Sequence, residues 1–397
     1  MVPNQYLPSQ LGEIPNDWQR VLFSNVMKVR QGLQIAISKR LKKPTENSKE
    51  YITIQSIKKA DQDREYVEAP SKRVICEKED VLMTRTGNTG IVVTGVEGVF
   101  HNNFFLMDFN RSQIDAMFLV NYLRTIRVQH LILTKAGAST IPDLNHNDFY
   151  SIEFPLAPLS EQRKIAKILS TWDKAINTTE RLIDNSKQQK KALMQQLLTG
   201  AHTQRKRLLD DSGKPFESEW EEVKLGEISY ITTGSSNRED STLVGEYAFF
   251  DRSEDIRTSS RYLFDSEAVI VPGEGQDFVP KHFNGKFDLH QRAYAIMEFK
   301  SSIGKFLFYY IGYYRHYFLS QAVGSTVKSL RLPMFQKMPI KLPSELEQQK
   351  IASVLTNADK EIELLEQQLA DLKQEKKALM QQLLTGKRRV KIDEEAA

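Results

Sequence analysis

The sequence predicts an α+β fold in which two globular domains of mixed helices and strands are joined and separated by two long antiparallel coiled-coil helices, with a pseudo-twofold internal repeat. Two repeated segments predict this architecture. Residues 190–200 (KKALMQQLLTG) recur letter for letter at 376–386, and residues 161–166 (EQRKIA) return as EQQKIA at 347–352, at the same offset of 186 residues. So long an offset indicates a duplicated domain pair and not a solenoid.

The repeat divides the chain into five parts. We predict a first domain at 1–159, a spacer helix at 160–200, a second domain at 201–343, a second spacer helix at 344–386 and a charged tail at 387–397. Each domain opens with a tryptophan, Trp18 or Trp220, and alternates apolar and polar residues as strands do. We expect one strand at residues 99–106 and its counterpart at 287–294, each followed by a helix.

The two spacer helices carry apolar residues at a 3.5-residue repeat, which is typical of a coiled-coil seam. Ser160 and Ser344 are predicted N-caps, and Gly200 and Gly386 are predicted C-terminal caps. Because each helix follows its own globular domain, we expect the two helices to pair antiparallel within the chain. The predicted seam residues are Leu169, Trp172, Ile176, Ile183, Lys190, Leu193, Leu197, Leu355, Ile362, Leu365, Leu369, Leu372, Lys376, Leu379 and Leu383.

Two lysines, Lys190 and Lys376, occupy equivalent a positions in this seam. A polar residue at an a position fixes the register of a coiled coil at some cost in stability. A lysine near a loose helix end instead extends its ammonium group to water. Both interpretations are open from the sequence.

The composition bounds the class of protein. With 397 residues, 40% of them hydrophobic and 27% charged, the chain is long enough for two or three domains with full-sized cores. No apolar run reaches about eighteen residues, so we expect no membrane span. A chain with one cysteine suits a reducing compartment, so we expect a cytoplasmic location. The single cysteine, Cys76, excludes an internal disulfide and a cysteine metal cluster. The net charge of +4 neither demands nor excludes nucleic acid, and basic clusters lie at residues 39–43, 205–207 and 387–389.

The sequence motifs of catalysis are missing. No Pro-Pro dipeptide occurs, so the (Asp/Asn)-Pro-Pro-(Tyr/Phe) loop of an adenine or cytosine methyltransferase is absent. The phosphate loop, the His-Glu-x-x-His motif and the Gly-x-Ser-x-Gly motif are absent as well. Asp143 is followed by Glu153, but the lysine that a nuclease site needs two residues further on is missing. We therefore expect no catalytic residue, no metal and no cofactor in this chain.

Two glycine-containing loops, at residues 87–90 and 273–276, have two interpretations, and the first is that they are structural turns without a further role. Their polar tips, flanked by Arg85 and Lys281, also suit contacts to base edges or phosphates. Polar residues of the strands and the Gly-Ser-Thr segments that end each domain complete the set of candidates. The candidate nucleic-acid contacts are Arg85, Thr86, Asn88, Thr89, His101, Asn102, Asn103, Ser139, Thr140, Gln276, Lys281, His290, Arg292, Ser325, Thr326, Lys328 and Arg331.

The two Glu-Gln-(Arg/Gln)-Lys-Ile-Ala helix starts, the paired Leu-Leu-Thr-Gly helix ends and the tandem divergent domains together resemble the specificity (S) subunits of type I restriction–modification systems. The resemblance covers essentially the whole chain. It implies two target-recognition domains, each reading one half of a split double-stranded DNA target. It implies spacer helices that set the gap and carry two methyltransferase (M) subunits, with restriction/translocase (R) subunits joining the complex and S-adenosylmethionine bound by the methyltransferase partner. Some members duplicate a four-residue block at the end of the first helix. Here that block occurs once, at 197–200, so the resemblance implies the shorter gap.

Two other functions are compatible with the residues. One is a two-domain coiled-coil interaction scaffold without DNA readout, which a lack of salt-dependent DNA binding would favour. The other is an enzyme with an unrecognised site, such as a nuclease fused to a recognition domain, which metal-dependent cleavage by the pure chain would reveal.

Overall fold

The structure is a computed structural model that describes residues 6–7, 12–58, 64–137, 141–199 and 207–392. The chain divides into two compact units, one of Met1–Thr179 with Gln368–Ala397 and the other of Glu180–Gln367. Both divisions fall inside a long helix. Each unit therefore contains one globular domain, the start of the helix that follows this domain, and the end of the other helix.

The first globular domain consists of short strands and short helices, as its alternating sequence predicts. Its strands are β1 (Tyr6–Leu7), β2 (Ile14–Pro15), β3 (Gln19–Leu22), β4 (Met27–Gln31), β5 (Ser48–Ile52), β6 (Tyr66–Glu68), β7 (Ile75–Cys76), β8 (Val81–Thr84), β9 (Val92–Val93), β10 (Gly98–Phe100), β11 (Phe104–Phe109) and β12 (Glu153–Leu156). Its helices are α1 (Phe23–Val26), α2 (Ile54–Lys58), α3 (Ala116–Leu123), α4 (Ile126–Ala136) and α5 (His146–Tyr150), and the long helix α6 (Leu159–Leu198) follows.

Two four-stranded sheets form most of this domain, in the orders β4-β11-β8-β9 and β6-β5-β10-β7. Phe105 and Met107 of β11 share a buried core with Phe118 and Leu119 of α3. Strand β12 pairs antiparallel with β3, so the end of the domain returns to its beginning just before α6 starts.

The second globular domain repeats this plan with one larger sheet. Its strands are β13 (Glu221–Lys224), β14 (Tyr230–Thr233), β15 (Ser241–Thr242), β16 (Tyr247–Phe250), β17 (Arg257–Ser259), β18 (Phe264–Pro272), β19 (Glu274–Gly275), β20 (Lys281–Leu289), β21 (Ala293–Met297), β22 (Lys328–Ser329) and β23 (Pro339–Leu342). Its helices are α7 (Leu225–Ile228), α8 (Gly304–Tyr313), α9 (His316–Gln321) and α10 (Leu332–Gln336), and the long helix α11 (Glu345–Leu383) follows. The sheet order is β14-β21-β18-β20-β16-β17-β15, and β14-β21-β18 corresponds to β4-β11-β8 of the first domain.

The single strands expected at 99–106 and 287–294 are wrong in the same way in both domains. Each segment forms two strands, β10 and β11 or β20 and β21, separated by a three-residue turn at 101–103 or 290–292. The apolar residues continue across the turn because both strands enter the core. Periodicity alone therefore does not reveal the break.

The long helices begin and end close to the predicted residues. Ser344 caps α11, since its hydroxyl accepts the Glu347 backbone N–H at 3.4 Å. Ser160 lies inside α6, which begins at Leu159, so its predicted role as N-cap is wrong. Gly386 follows α11 with φ +69°, the left-handed conformation of a C-terminal cap, whereas Gly200 lies outside the described residues.

Each domain core is completed by the start of the long helix that follows the domain and by the end of the other long helix. In the first unit, Leu169 near the start of α6 and Leu383 at the end of α11 are buried in the core of the first domain. In the second unit, Leu355 near the start of α11 and Leu197 at the end of α6 take the equivalent places. The exact repeat of the helix ends is therefore explained by two equivalent cores that receive them.

The first residue of the repeated Glu-Gln motif anchors each unit. Glu161 is 1% exposed, accepts the Trp18 Nε1–H at 2.9 Å, and accepts two N–H groups of Arg389 at 2.8 Å each. Glu347 is 2% exposed and pairs in the same way with Trp220, at 3.2 Å, and with Arg207. A buried carboxylate needs such partners because desolvation of an unpaired charge is expensive.

The second residue of the motif fastens the helix to its domain. Gln162 is fully buried, and its Nε2 donates to the Gln113 and Ala157 carbonyls at 2.8 Å each. Its Oε1 accepts the Asp115 N–H at 2.9 Å. Gln348 repeats this pattern with three backbone groups of the second domain. Each glutamine thus satisfies three backbone groups, two acceptors and one donor, that no other residue type of similar size would satisfy together.

The predicted seam residues differ in burial from leucines elsewhere on the two long helices. Each of the fifteen predicted seam residues is buried or half-buried, whereas Leu182 and Leu364, outside the seam, are 46% and 70% exposed. The pairing is antiparallel in the second unit, because Lys187 contacts Glu366 at 2.6 Å while Lys190, further along α6, contacts Asp359, earlier along α11.

The two seam lysines form equivalent ion pairs. Lys190 pairs with Asp359 in the second unit, and Lys376 pairs with Asp173 in the first, which is the same contact at the repeat offset. The lysine side chains are only 24% and 14% exposed. The structure therefore favours register-fixing polar residues over lysines extended to water.

We expect Asp359→Ala to lower the free energy of unfolding by about 2–3 kcal/mol, because Asp359 also accepts the buried Tyr309 hydroxyl at 2.6 Å. Burial and this hydrogen bond raise the pKa of Tyr309. Asp173→Ala is the matched control. The first domain has Asn121 at the position of Tyr309, so only the lysine contact is lost and we expect about 1 kcal/mol. Urea unfolding of both variants measures the difference, and equal losses would contradict the role of Tyr309.

Candidate nucleic-acid interface

Three segments that are far apart in the sequence meet in the first domain. The Arg85 N–H donates to the Asn103 carbonyl at 2.7 Å, and the Leu144 N–H donates to the Arg85 carbonyl at 2.9 Å. The loop after β8, the turn between β10 and β11, and the segment before α5 therefore form one site. It contains the predicted residues Arg85, Thr86, Asn88, Thr89, His101, Asn102 and Asn103, whereas Ser139 and Thr140 lie outside the described residues.

The second domain brings the equivalent three segments together. The Gly273 N–H donates to the Arg292 carbonyl, and the Leu330 N–H donates to the Gly273 carbonyl, both at 2.8 Å. The loop after β18, the turn between β20 and β21, and the segment around β22 form this site. It contains the predicted residues Gln276, His290, Arg292, Ser325, Thr326, Lys328 and Arg331.

A histidine organises the turn in each site. The Nδ1 of His101 accepts the Asn103 N–H at 3.0 Å, and the Nδ1 of His290 accepts the Arg292 N–H at 3.0 Å. Burial lowers the pKa of both imidazoles, so both rings are neutral at neutral pH and Nδ1 is able to accept. These histidines therefore shape the turns, and we expect them to position the contact residues beside them.

A glycine lies against each turn. A Cβ at Gly32 would lie 2.0 Å from the Phe100 carbonyl oxygen, and a Cβ at Gly234 would lie 1.7 Å from the Leu289 carbonyl oxygen. Both distances are far below contact distance and both involve backbone atoms. Only glycine therefore allows the end of β4 to approach the end of β10, and the end of β14 to approach the end of β20.

We expect Gly234→Ala to destabilise the second domain by about 3 kcal/mol, at the upper end of typical overpacking, because the turn backbone has to move. Gly312→Ala is the matched control. Gly312 lies in α8, and the Cβ of an alanine there would lie 3.5 Å from the Pro280 side chain, an ordinary contact distance. Alanine is therefore expected to stabilise by about 1 kcal/mol through helix propensity. Thermal denaturation of the two variants measures both effects. A Gly234→Ala variant as stable as the parent would contradict the close approach.

Arg85 holds the loop of the first site. Its Nη2 donates to both carboxylate oxygens of Asp143, at 3.0 and 2.9 Å, and its guanidinium stacks 5.1 Å from the Phe105 ring centroid. Thr86 donates to the same carboxylate at 2.5 Å, and the Thr86 and Arg85 hydrogen bonds lower the pKa of Asp143. Because the Arg85 side chain is only 13% exposed, we expect it to fix the loop and not to contact DNA.

Thr89 also has a role inside the loop. It is 7% exposed, and its hydroxyl lies 2.9 Å from the Arg85 carbonyl and 2.9 Å from the Pro142 carbonyl. A hydroxyl in this position is not accessible to a DNA base. Asn88 at the tip of the same loop is exposed and remains a candidate contact.

The second site contains a cleft of about 470 Å³. Three arginines and three carboxylates line it: Arg238, Arg252, Arg292, Glu239, Asp251 and Glu274. Arg292 Nη1 donates to both oxygens of Glu274, at 2.9 and 3.0 Å, while its side chain is 60% exposed. Glu274 thus orients a guanidinium that water, and hence a ligand, is able to reach.

The other predicted residues of the second domain differ in exposure. Gln276, Ser325, Thr326, Lys328 and Arg331 are exposed. Lys281 is half-buried on β20, where its ammonium donates to the Ser253 carbonyl, and burial lowers its pKa. We therefore expect Lys281 to hold the loop after β16.

Sequence reasoning missed several residues of these sites. Arg252 follows β16, and its place in the cleft depends on the parallel pairing of β16 with β20, which no local pattern reveals. Asp143 enters the first site because it pairs with Thr86 across 57 residues. Gln291 was predictable from the sequence, because it follows His290 just as the predicted contact residue Asn102 follows His101.

The predicted basic clusters are partly used within the fold. Arg40 and Lys42 both pair with Glu65 at 2.7 Å. Arg207 and Arg389 pair with the glutamates that begin the long helices. These cations stabilise the units, so fewer basic residues are available for phosphate contact than the sequence suggests.

The described part of the chain contains no cluster of three or more His, Cys, Asp or Glu side chains able to hold a metal ion. Within that part, none of the helices combines the length and the apolar character that a membrane span requires.

Comparison with known proteins finds relatives that match the chain in sequence and in fold. The sequence matches the family described as "Type I restriction modification DNA specificity domain" at residues 15–185 and 217–374. The type I restriction enzyme MjaVIII specificity subunit of Methanocaldococcus jannaschii is 24% identical over 406 residues, covering 95% of this chain and 94% of the relative. The type I restriction enzyme EcoDI specificity subunit of Escherichia coli is 29% identical over 167 residues, covering 42% of this chain and 37% of the relative. The solved S subunit of the type I restriction–modification system from M. genitalium has the same fold, with a TM-score of 0.61 at 14% identity, covering 92% of this chain and 96% of that one.

The fold and the paired sites define a class of internally duplicated proteins with two mixed α/β domains and two antiparallel helices. The matched regions span most of both domains and of both long helices. The chain belongs to the family of specificity (S) subunits of type I restriction–modification systems. The predicted fold class and the resemblance drawn from the sequence are confirmed.

Proposed function

We propose that this chain is the DNA-recognition subunit of a type I restriction–modification complex. Each globular domain reads one half of a bipartite double-stranded DNA target. The paired helices set the gap between the halves and dock two M subunits, and R subunits complete the complex. The chain itself performs no catalysis and binds no cofactor, S-adenosylmethionine being bound by the M subunits, and the complex works in the cytoplasm.

The observation that supports this proposal most is that the two domains share one backbone scaffold but present different polar groups on it. Gly273 and Glu274 take the places of Arg85 and Thr86, and Arg292 takes the place of Asn103. Readout of a DNA sequence needs a fixed scaffold with variable side chains on it, since phosphate contacts orient a protein while base-edge contacts specify the target. A duplicated scaffold with different side chains suits two different half-sites.

The helices support the role as spacer. Helix α6 has 40 residues and α11 has 39, so each spans about 60 Å. Both run through both units, and each unit fixes their register with its own lysine–aspartate pair.

The test is to co-express the chain with its methyltransferase partner and to map modified adenines in the host DNA. A bipartite motif with a fixed unspecified gap is the expected result. A continuous motif would mean that only one domain reads DNA. No modification by a complex shown to assemble would contradict DNA recognition and favour an interaction scaffold.

A further inference from the structure

Two amide side chains pair beside the turn of the first site. The Asn102 Nδ2 donates to the Gln34 Oε1 at 3.1 Å. Gln34 is exposed and Asn102 is half-buried. Among the described residues, the Asn102 Oδ1 has no hydrogen-bond partner although water does not reach it.

The second site contains the same kind of pair with the residue types exchanged. The Gln291 Nε2 donates to the Asn237 Oδ1 at 2.6 Å, and both residues are exposed. Both line the cleft that contains Arg292. A glutamine now occupies the turn and an asparagine occupies the partner position, whereas the first site has the reverse order.

The backbone shows that the two pairs occupy equivalent positions. Each donor is the residue after the turn histidine, and each acceptor follows the residue that bridges to that histidine, Leu33 in the first domain and Ser236 in the second. The donor N–H groups bond to these same two residues, at 3.1 Å for Asn102 and 2.9 Å for Gln291. The sequence repeat does not reveal this equivalence, because the paired residues lie about 50 to 70 positions apart.

Folding alone does not account for these pairs. Each turn is already held by the histidine Nδ1 and by its backbone hydrogen bonds. A hydrogen bond between two neutral amides, of which at least one is exposed, contributes about 1 kcal/mol or less, since water competes for the exposed group. Two domains that differ at most polar positions of the site nevertheless both keep an Asn–Gln pair there.

The chemistry of a primary amide points to a ligand. An amide carries donors and an acceptor side by side, and this pattern matches the N6 donor and N7 acceptor of adenine in the major groove. The bond within each pair uses one donor and one acceptor, and the exposed glutamine of each pair, Gln34 or Gln291, keeps an N–H and an oxygen lone pair for a ligand. The amides are also neutral, so a phosphate gains no charge pairing from them.

We propose that Gln34 with Asn102, and Asn237 with Gln291, each read the major-groove edge of an A·T base pair, one in each half-site. This inference rests on the proposed function of the two domains. It adds the residues that determine specificity and the base that they contact.

The experiment uses the chain assembled with its M subunits and a set of DNA duplexes in which every position of the wild-type motif is varied in turn. Gln34→Ala is expected to reduce the preference for A·T at one position of one half-site by about 5- to 150-fold. Gln291→Ala is expected to do the same in the other half-site. Each variant is the control for the other, because the half-site of the unchanged domain keeps its preference.

An exchange variant tests whether the pair itself matters. Gln34→Asn combined with Asn102→Gln gives the first domain the arrangement of the second, and we expect it to retain the A·T preference that Gln34→Ala loses. Thermal denaturation checks that the variants fold.

Two results would overturn the inference: unchanged preference at every position, or equal weakening on all duplexes, which indicates a phosphate contact. A wild-type complex without any bipartite motif would instead contradict the proposed function, so the two failures are distinguishable.

Discussion

Glu347→Ala is expected to lower the free energy of unfolding of the second unit by about 3–5 kcal/mol. The Glu347 carboxylate is 2% exposed and is shared by the Trp220 indole and the Arg207 guanidinium, so alanine leaves a half-buried arginine and an indole N–H without their acceptor. The loss exceeds the value of the ion pair itself, because the remaining groups cannot all reach water. Urea unfolding followed by circular dichroism measures it.

The chain offers two controls for this prediction. Glu363→Ala removes an exposed carboxylate from the same helix and is expected to change stability by no more than about 0.5 kcal/mol. Glu161→Ala removes the equivalent buried carboxylate in the first unit, where Arg389 and Trp18 lose their acceptor, and a similar loss is expected there. Equal small effects for all three variants would show that the buried glutamates do not anchor the units.

A matched insertion of three heptads in each long helix is expected to widen the gap of the DNA target by about nine base pairs. Twenty-one helical residues add about 31.5 Å, which is close to the 34 Å of one DNA turn, so the second half-site returns to nearly the same face of the duplex. The insertion points are the unit divisions, after Thr179 and after Gln367. Both lysine–aspartate pairs and both domain cores then keep their contacts, and mapping of modified bases measures the gap.

The control is a variant in which only one of the two long helices is extended. The same three heptads placed in α6 alone leave α11 too short to reach both of its contacts, so we expect the antiparallel register to fail and defined modification to be lost. Unchanged spacing in the doubly extended protein would contradict the role of the helices as spacer.

Local sequence predicted the helices well because their signal is periodic and short in range. The seam residues from Leu169 to Leu383 are buried or half-buried as expected, since a repeat of 3.5 residues places them on one side of each helix. The candidate sites were predicted only in part. The segments around Arg85 and His101 come together in the first domain, and the segments around Gly273 and His290 come together in the second. Local pattern did not distinguish residues that shape the turns from residues that are open to a ligand.

The arginines show most clearly what the local sequence does not reveal. From the sequence, Arg85, Arg207 and Arg292 are equivalent as basic residues near polar loops or clusters. In the structure Arg85 is largely buried against Asp143, Arg207 is bonded to a buried glutamate, and Arg292 is exposed in a cleft. Whether an arginine is available to DNA depends on its partner and its burial, and both come from distant parts of the chain.

The sequence by itself determined the duplication, the two long helices, their antiparallel seam and the divergence of the two domains. These features follow from the repeated segments and from the periodic spacing of apolar residues. Only the tertiary structure decided which polar groups meet: Gln34 with Asn102, Asn237 with Gln291, and Arg292 with Glu274. These contacts arise from strand pairings between remote segments. Their hydrogen bonds depend on distances of a few ångströms, which no spacing along the chain encodes.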